Sequence, residues 1–121
     1  MSPGEIHLAM FPFGGTVGAK PRPVLVLTGP LGSVPEVLVA YMTSVIPATL
    51  LSTDILIDPK QPQHSGTGLK QMTLLRLHKL ATIHERNLLR YIGEVATATW
   101  SEVEAKLWLL FRGPGKTSKT P

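Results

Sequence analysis

The alternation of apolar and polar residues near the start of the chain predicts a strand. In the segment EIHLAMF every second residue is large and apolar, which is the pattern of a strand with one buried face. The residues predicted to point inward are Ile6, Leu8 and Met10, and those predicted to point outward are His7 and Ala9.

Three further segments have the character of strands. PVLVLTG starts with a continuous apolar run, which is typical of a strand buried on both faces. VLVAYMTS is rich in β-branched and aromatic residues, and TDILIDP is a short apolar run closed by Pro59. The segment KQPQHSGTG that follows is predicted to be a surface loop, with a turn at its two glycines.

The segment LKQMTLLRLHKLATI fits two structures. Leu74, Leu77, Leu80 and Ile83 could line one side of a helix as well as one side of a strand. The periodicity of this segment leaves both open.

The last apolar segment, TWSEVEAKLWLLF, predicts an amphipathic helix. Thr99 and Glu102 have the spacing of a capping box, which marks the start of a helix. Several short strands and one terminal helix predict a mainly β fold, a small curled sheet or barrel with the helix packed across it. The apolar stripe predicted to face the core consists of Trp100, Val103, Leu107, Leu110 and Phe111.

Length and composition narrow the class of protein. With 121 residues the chain has the size of one domain, and without cysteine it has neither disulfides nor a cysteine nucleophile. Its four histidines lack the close spacing that places two imidazoles on one metal ion, so no metal and no cofactor is predicted. No apolar stretch reaches the roughly 20 residues of a membrane span, and no signal peptide is apparent, so we expect a soluble cytoplasmic protein without membrane contact.

The positive charge of the chain is concentrated in two places. Of the net charge of +4, three charges lie in the tail after Phe111. Residues 60–90 contain a single acid, Glu85, which makes this stretch cationic and suits an anionic partner. Its basic residues are Lys60, Lys70, Arg76, Lys79, Arg86 and Arg90.

One cation outside that stretch has an unusually restrained backbone. Arg22 lies between Pro21 and Pro23, directly before the apolar strand segment. Each proline fixes its own φ and favours extended geometry in the residue before it, so the backbone of Arg22 is already ordered. Such a position suits a side chain that must point in one direction.

Several motifs occur in a fixed order along the chain. They are GEIHLAMF, KPRPVLVL, VAYMTS, TGLKQMTLLRLHKLATI and IGEV, followed by the closing helix. In this order they resemble the MazF/PemK toxins of bacterial type II toxin–antitoxin pairs. The resemblance covers residues 4–111, so we predict a toxin domain at 1–111 and a disordered basic tail at 112–121.

The resemblance implies a fold and an activity. The fold is a small SH3-like barrel with a C-terminal helix, the MazF/CcdB-type toxin fold, and it favours a strand over residues 71–77. The implied activity is that of a homodimeric endoribonuclease that cleaves single-stranded mRNA at selected sequences by 2′-OH attack, without a metal ion. The implied protein partner is a cognate antitoxin, which silences the toxin and binds DNA with it.

The family's site residues can be matched one by one. The Arg of the family's RPV motif is Arg22, and the Thr-Ser pair at the end of the next long strand is Thr43 and Ser44. In the PemK branch an Arg and an Asp two residues apart are described as acid and base, and they fall on Arg76 and His78. As a strand, this segment would direct both side chains to one face.

The chain departs from the family pattern at three positions. His78 replaces the Asp of the PemK branch, and Ala81 stands where many members have a further Arg. Thr16 stands where a loop His precedes the RPV motif.

The matched residue types fit RNA cleavage without a metal ion. This reaction needs a base for the 2′-OH, an acid for the leaving 5′ oxygen and donors for the charged phosphate. Arg22 and Arg76 suit the phosphate, from what we expect to be adjacent strands, and His78 titrates near neutral pH and is the natural base. The predicted catalytic residues are Arg22, Thr43, Arg76 and His78, and the predicted RNA-contacting residues are Thr16, Lys20, Ser44, Lys70 and Lys79.

Each matched residue also has a structural interpretation. Arg22 could pair with Glu5 or Glu36, Thr43 could serve strand propensity, and His78 could be a solvated residue on an exposed face. The alternative function is a non-cleaving binding module on the same fold, either a gyrase-directed toxin relative or an RNA-binding protein.

Overall fold

The computed structural model describes residues 1–10 and 20–113. This part of the chain is mainly β with one C-terminal α-helix, as predicted. The strands that the sequence predicted after residue 22 are all present, and the ambiguous segment around residue 75 is a strand. The elements are β1 (Glu5–Ala9), β2 (Arg22–Val26), β3 (Glu36–Thr43), β4 (Asp54–Ile57), β5 (Thr73–His84), β6 (Leu88–Glu94) and α1 (Thr97–Arg112), with short 3-10 helices at Pro62–Thr67 and Glu85–Asn87.

The six strands form one sheet in the order β4-β5-β3-β2-β1-β6, and all its pairings are antiparallel. One apolar cluster includes Leu25, Met42 and Leu75 and reaches Val103 of α1. A second cluster, which includes Val24 and Val39, packs with Tyr41. Neighbouring residues of β2 therefore belong to different clusters, as the alternation of side chains in a strand requires. No helix in the described residues is long and apolar enough to cross a membrane.

The prediction that β1 has one exposed face is wrong. His7 and Ala9, predicted to point outward, are buried, whereas Met10, predicted to point inward, is exposed. β1 lies between β2 and β6, and both of its faces are covered. The ring of His7 is satisfied there because Nε2 lies 2.8 Å from Oε1 of Glu5, and this hydrogen bond lowers the pKa of Glu5.

The segment predicted as a surface loop before β5 is more ordered than expected. Residues Pro62–Thr67 form a 3-10 helix in which His64 and Thr67 are buried. Gly68 ends this helix with a φ of 72°, so the turn predicted at the glycines is present. A Cβ on Gly68 would collide with the carbonyl group of Ile92, so glycine lets the helix pack directly against the β6 backbone.

The helix α1 begins earlier than the capping-box pattern predicts. Ala96 is the N-cap residue and makes no side-chain cap, while Thr99 is buried inside the first turn. The capping-box prediction is therefore wrong, because Thr99 packs in the interior instead of capping. Of the predicted core stripe, Val103 is fully buried, but Phe111 at the other end is 66% exposed.

The long strand β5 changes register where it leaves β4. Ala40 of β3 pairs with Leu80, but the next β3 residue, Tyr41, pairs with Arg76. The register between these two fully described strands thus leaves residues 77–79 without a partner on β3. We call residues 77–79 the β5 bulge; it contains His78.

Candidate active site

A cavity of about 280 Å³ lies at the end of the sheet where β2 begins and β3 ends. Both apolar residues, among them Met42 and Ile92, and polar residues line it. The polar side chains at its edge are Arg22, Thr43, Ser44, Lys70, Gln71, Thr73 and Arg90. The structure thus brings together four residues that the sequence predicted for catalysis or RNA contact, namely Arg22, Thr43, Ser44 and Lys70.

Arg22 is the first residue of β2, and its side chain is exposed at this rim. Within the described residues no ion pair involves Arg22, and Glu5, one suggested partner, bonds His7 instead. The interpretation of Arg22 as a structural ion pair with Glu5 or Glu36 therefore finds no support. Since no described residue pairs with its guanidinium, that group can donate to an anion in the cavity.

Thr43 faces the same space from the last residue of β3. Val24 pairs with Tyr41, and continuing this register by two residues places Thr43 opposite Arg22. The Thr43 side chain is buried, and its Oγ1 accepts a hydrogen bond of 3.1 Å from the backbone N–H of Val45. The hydroxyl proton is still available for donation, so Thr43 can add a neutral donor beside the arginine.

Arg76 lies on the opposite side of β3 from Arg22, held by a carboxylate. Its Nε and Nη2 donate to Oδ1 and Oδ2 of Asp54 at 3.2 Å and 3.1 Å. The Asp54 side chain is 0% exposed and also accepts a 2.8 Å bond from the backbone N–H of Leu51. Burial raises the pKa of Asp54, but the hydrogen bonds from Arg76 and Leu51 outweigh it and lower the pKa overall.

His78 approaches the same carboxylate from the β5 bulge. Its Nδ1 lies 4.0 Å from Oδ1 of Asp54, and its side chain is 30% exposed. Burial and the charges of Arg76 and Lys79 lower the pKa of His78, while Asp54 raises it, and the net shift is downward. The imidazole is thus mainly neutral at pH 7 and can accept a proton.

The predicted site is split in the structure. Arg22 and Arg76 do not lie on adjacent strands as predicted, because β3 separates β2 from β5. Tyr41 and Arg76 are paired, and so are Thr43 and Leu74, so Arg76 is a diagonal neighbour of Thr43, about 7–8 Å away by sheet geometry. Arg22, Thr43 and Arg76 therefore form a row across three strands, and His78 extends the row toward α1.

The remaining predicted RNA-contacting residues differ in their settings. Ser44 and Lys70 are exposed at the cavity, and Lys20 is exposed just before β2. Lys79 places its ammonium group 5.1 Å from the centre of the Tyr41 ring, a cation–π contact. Thr16 lies outside the described residues, so its predicted role stays a prediction.

The structure adds residues that the sequence prediction missed. Arg90 and Gln71 line the cavity beside Arg22, and Asp54 joins Arg76 to His78. Arg90 belongs to the cationic stretch 60–90, which was a usable signal. Asp54 gave no such signal, since an acid at the start of a short strand reveals its partner only when β4 pairs with β5.

Two other cavities differ in character. His78 borders one of about 520 Å³, with the apolar residues Leu109 and Leu110 of α1. Another of about 610 Å³ lies near Trp100 and has Glu94 as its one ionisable lining residue. Within residues 1–10 and 20–113, no three His, Asp or Glu side chains come together as metal ligands would. The combination of cations, a hydroxyl and a neutral imidazole is found in the row that starts at Arg22.

Comparison of the sequence with models of known protein families identifies the family of this chain. A sequence model of the PemK-like, MazF-like toxins of type II toxin–antitoxin systems matches residues 2–111. The chain belongs to the PemK/MazF toxin family. A search of curated proteins gave no significant match.

Solved structures agree with the PemK/MazF assignment. The chain is similar to the Mycobacterium tuberculosis toxin MazF-mt6, with a TM-score of 0.66, 25% identity and coverage of 89% of this chain and 96% of that one. It is also similar to a mycobacterial endoribonuclease in complex with its cognate antitoxin, with a TM-score of 0.65, 17% identity and coverage of 94% and 97%. At this lower identity the likeness shows the fold alone.

These comparisons confirm the predicted PemK/MazF family and the predicted toxin fold. The family is one of endoribonucleases, so the predicted enzyme class is confirmed at the level of the family. The comparisons do not test the predicted site residues or the division at residue 111, so these stay predictions. From residue 114 onward the predicted tail lies outside the described residues.

Proposed function

We propose that this PemK/MazF-like toxin is an endoribonuclease that cleaves single-stranded mRNA in the cytoplasm without a metal ion. The observation that carries the proposal is Arg22, an exposed guanidinium with no acidic partner in the described residues, opposite Thr43 at the rim of a polar-edged cavity. Its planar fork can donate two parallel hydrogen bonds to a phosphate.

Attack and charge stabilisation can each be assigned to named residues. The 2′-OH attacks the adjacent phosphorus, the bond to the 5′ oxygen breaks, and a 2′,3′-cyclic phosphate and a 5′-OH result. Neutral His78 takes the proton of the 2′-OH, and Arg22, Arg76 and the Thr43 hydroxyl donate hydrogen bonds to the phosphate oxygens, where negative charge grows. The leaving 5′ oxygen takes its proton from solvent water. Lys20, Ser44, Lys70, Lys79 and Arg90 would hold the flanking RNA backbone.

We propose two protein partners in addition. One is a second copy of this chain, because Trp108 and Leu109 of α1 are 63% and 48% exposed and form an apolar surface next to the partly buried stripe. The other is a cognate antitoxin, since a mycobacterial endoribonuclease with a similar fold was solved with its own.

The test is incubation of purified protein with a long RNA in EDTA, followed by mapping of the ends. Cleavage should persist in EDTA and give 5′-OH ends at a limited set of sequences. Arg22→Ala should be inactive, and Arg86→Ala should be active, because Arg86 is an exposed cation that does not line the cavity. An RNA with a 2′-deoxy nucleotide at the cut position should resist; its cleavage would contradict 2′-OH attack.

A second candidate function is RNA binding without cleavage on the same fold. Two observations favour it: His78 stands in place of the Asp that the PemK branch carries, and His78 does not line the cavity with Arg22. In this case the protein would retain RNA on a filter in an Arg22-dependent manner, and the same RNA would stay intact.

A further inference from the structure

The resemblance to the PemK branch implies a carboxylate two residues after the site arginine, and this chain has His78 there. The structure nevertheless contains a carboxylate between Arg76 and His78. It belongs to Asp54, which lies opposite Arg76 on the neighbouring strand β4. β5 has no acid at position 78, but the pairing of β4 with β5 places the carboxylate of Asp54 beside Arg76.

Asp54 cannot act as the proton acceptor itself. Its side chain is 0% exposed, and both of its oxygens are engaged, by Arg76 and by the N–H of Leu51. An RNA hydroxyl would therefore have no path to the carboxylate. What Asp54 can do is hold other groups in place, because a two-point hydrogen bond fixes both the position and the plane of a guanidinium.

The position of Asp54 is fixed from three sides. Leu51 caps its carboxylate, the strand pairing holds its backbone beside Arg76, and Lys106 of α1 donates a 2.9 Å bond to its backbone carbonyl. Lys106 is in turn paired with Glu102, one turn earlier on the helix, at 3.2 Å. The carboxylate therefore has little freedom to follow a moving partner, and Arg76 must orient to it.

We propose that Asp54 is a positioning residue for RNA cleavage, whose buried carboxylate fixes the guanidinium of Arg76 and faces the ring of His78. This inference rests on the proposed endoribonuclease function. Asp54 turns one hydrogen-bonding edge of Arg76 inward, and the remaining Nη1 and Nη2 protons are left for a phosphate. It also opposes the positive charges around His78.

The charges that face His78 determine whether its pKa rises or falls when Asp54 is replaced. Arg76 and Lys79 lie on its own strand, Asp54 faces it from β4, and the α1 residues beside its cavity are apolar, with Lys106 directed at the Asp54 backbone. Asp54 is thus the one negative charge among these described neighbours. Removing it must lower the pKa of His78 further.

The experiment compares Asp54→Asn with wild type in two measurements. The first is an NMR titration of the His78 ring, where the midpoint should move to lower pH. The second is the pH profile of RNA cleavage, in which the midpoint of the rising, acidic limb should move to lower pH by the same amount. The plateau rate should be about 10²-fold lower, because Arg76 is misplaced. A purely structural role would not move both midpoints together.

The matched control is Asp58→Asn, which removes the same charge just beyond the opposite end of β4. Asp58 is hydrogen-bonded to the backbone N–H of Lys60 and has no contact with Arg76 or His78 in the described structure. Its titration and pH profile should equal those of wild type. Equal behaviour of Asp54→Asn and Asp58→Asn would overturn the inference.

A second variant covers the case in which Asp54→Asn does not fold. Arg76→Lys keeps both charges but loses the two-point bond, so cleavage should fall by at least about tenfold while the His78 midpoint stays in place. Wild-type cleavage by Arg76→Lys would overturn the inference. If wild-type protein itself fails to cleave RNA, the proposed function fails; if it cleaves and Asp54→Asn cleaves with the same profile, the inference about Asp54 alone fails.

Discussion

Arg22 at the start of β2 and Thr43 at the end of β3 line one cavity, although twenty residues of sequence separate them. One contributes a charged fork with no partner in the described structure, and the other contributes a hydroxyl held by the turn that follows β3. Prolines on both sides of Arg22 keep its backbone extended before any ligand arrives. Little ordering is then needed when a phosphate binds.

The first prediction concerns this arginine. Arg22→Ala should abolish cleavage and leave the thermal unfolding midpoint within a few degrees of wild type, because the side chain is exposed and makes no ion pair in the described residues. Arg22→Lys should also be poor, since an ammonium group cannot form the two-point contact. Cleavage is followed by gel with a labelled RNA, and unfolding by circular dichroism.

Two outcomes would contradict this interpretation of Arg22. Full activity of the Lys variant would show that charge alone is enough. A large drop in the unfolding temperature of the Ala variant, with the exposed Arg86→Ala unaffected, would show that Arg22 supports the fold.

The second prediction concerns His78 as the base. Burial and the charges of Arg76 and Lys79 lower the pKa of His78 below its ordinary value of 6.5. Activity should therefore rise with pH along an acidic limb, with its midpoint below that value, and then level off. His78→Ala should remove the limb and slow cleavage by about 10²- to 10⁴-fold, the usual contribution of a positioned base. His78→Asp should restore part of the rate with a limb at lower pH, since a carboxylate titrates near pH 4.

The measurement for His78 is the cleavage rate under single-turnover conditions from pH 5 to pH 9. His84→Ala serves as control, because His84 lies on the same strand but accepts a hydrogen bond from the N–H of Arg86 away from the cavity. A wild-type rate for His78→Ala at every pH would place the base elsewhere.

The third prediction concerns stability in acid. The pKa of Asp54 is lower in the folded chain than its ordinary value of 3.8, so its carboxylate stabilises the fold above that pH. This contribution disappears as the pH falls through the lower, folded-state pKa. Asp54→Asn should therefore cost about 1–3 kcal/mol of unfolding free energy near neutral pH, and the difference from wild type should shrink below about pH 4.

Urea denaturation at several pH values measures this difference. Asp58→Asn should show little loss at any pH, because Asp58 is only a loop cap. A difference between Asp54→Asn and wild type that is as large at pH 2 as at pH 7 would show that the effect is not one of ionisation.

The fourth prediction is that the protein is a dimer at micromolar concentration. Trp108, Leu109 and Phe111 are 63%, 48% and 66% exposed on one end of α1, which is unusual for large apolar side chains of a monomer. Trp108→Glu should shift the mass in light scattering toward the monomer. Leu31→Glu changes another residue that is 60% exposed, in the turn before β3, and should leave the mass unchanged. A monomeric wild-type protein would contradict the prediction.

The fifth prediction concerns the turn before β5. Gly68→Ala combines a positive φ with a Cβ that would collide with Ile92, so it should cost about 2–5 kcal/mol of unfolding free energy. Gly29→Ala is the control, since a Cβ there would meet its nearest atom at an ordinary 3.7 Å. Equal stability of the two variants would show that the backbones at Gly68 and Ile92 can move apart at little cost in free energy.

The sequence predicted the strands well where burial alone decides them. The short apolar run from Val24 to Leu27 was predicted to be a buried strand, and Arg22–Val26 is one; residues 36–43 followed from their β-branched and aromatic composition. His7 was predicted to point outward because it is polar, but the sheet order places β1 between two strands, where Glu5 satisfies the ring. A local pattern contains no information about neighbours that come from the far end of the chain.

The site shows the same division. Arg22 and Thr43 followed from motifs, and their meeting at one cavity agrees with the pattern. Asp54 had no motif, because its importance arises from a pairing register across 22 residues. Phe111 was predicted to be buried from a periodic stripe, yet its side chain is 66% exposed, because periodicity within a helix does not show which part of the stripe another element covers.

The β5 bulge has a consequence for how this toxin can change over evolution. Since residues 77–79 have no partner on β3, an exchange of the side chain at position 78 disturbs no cross-strand side-chain pair with β3. Histidine here and the aspartate that the resemblance implies for related toxins would then be alternative proton acceptors on the same strand backbone. A bulge that first serves to bend a strand also leaves one position open for trying new acid–base chemistry.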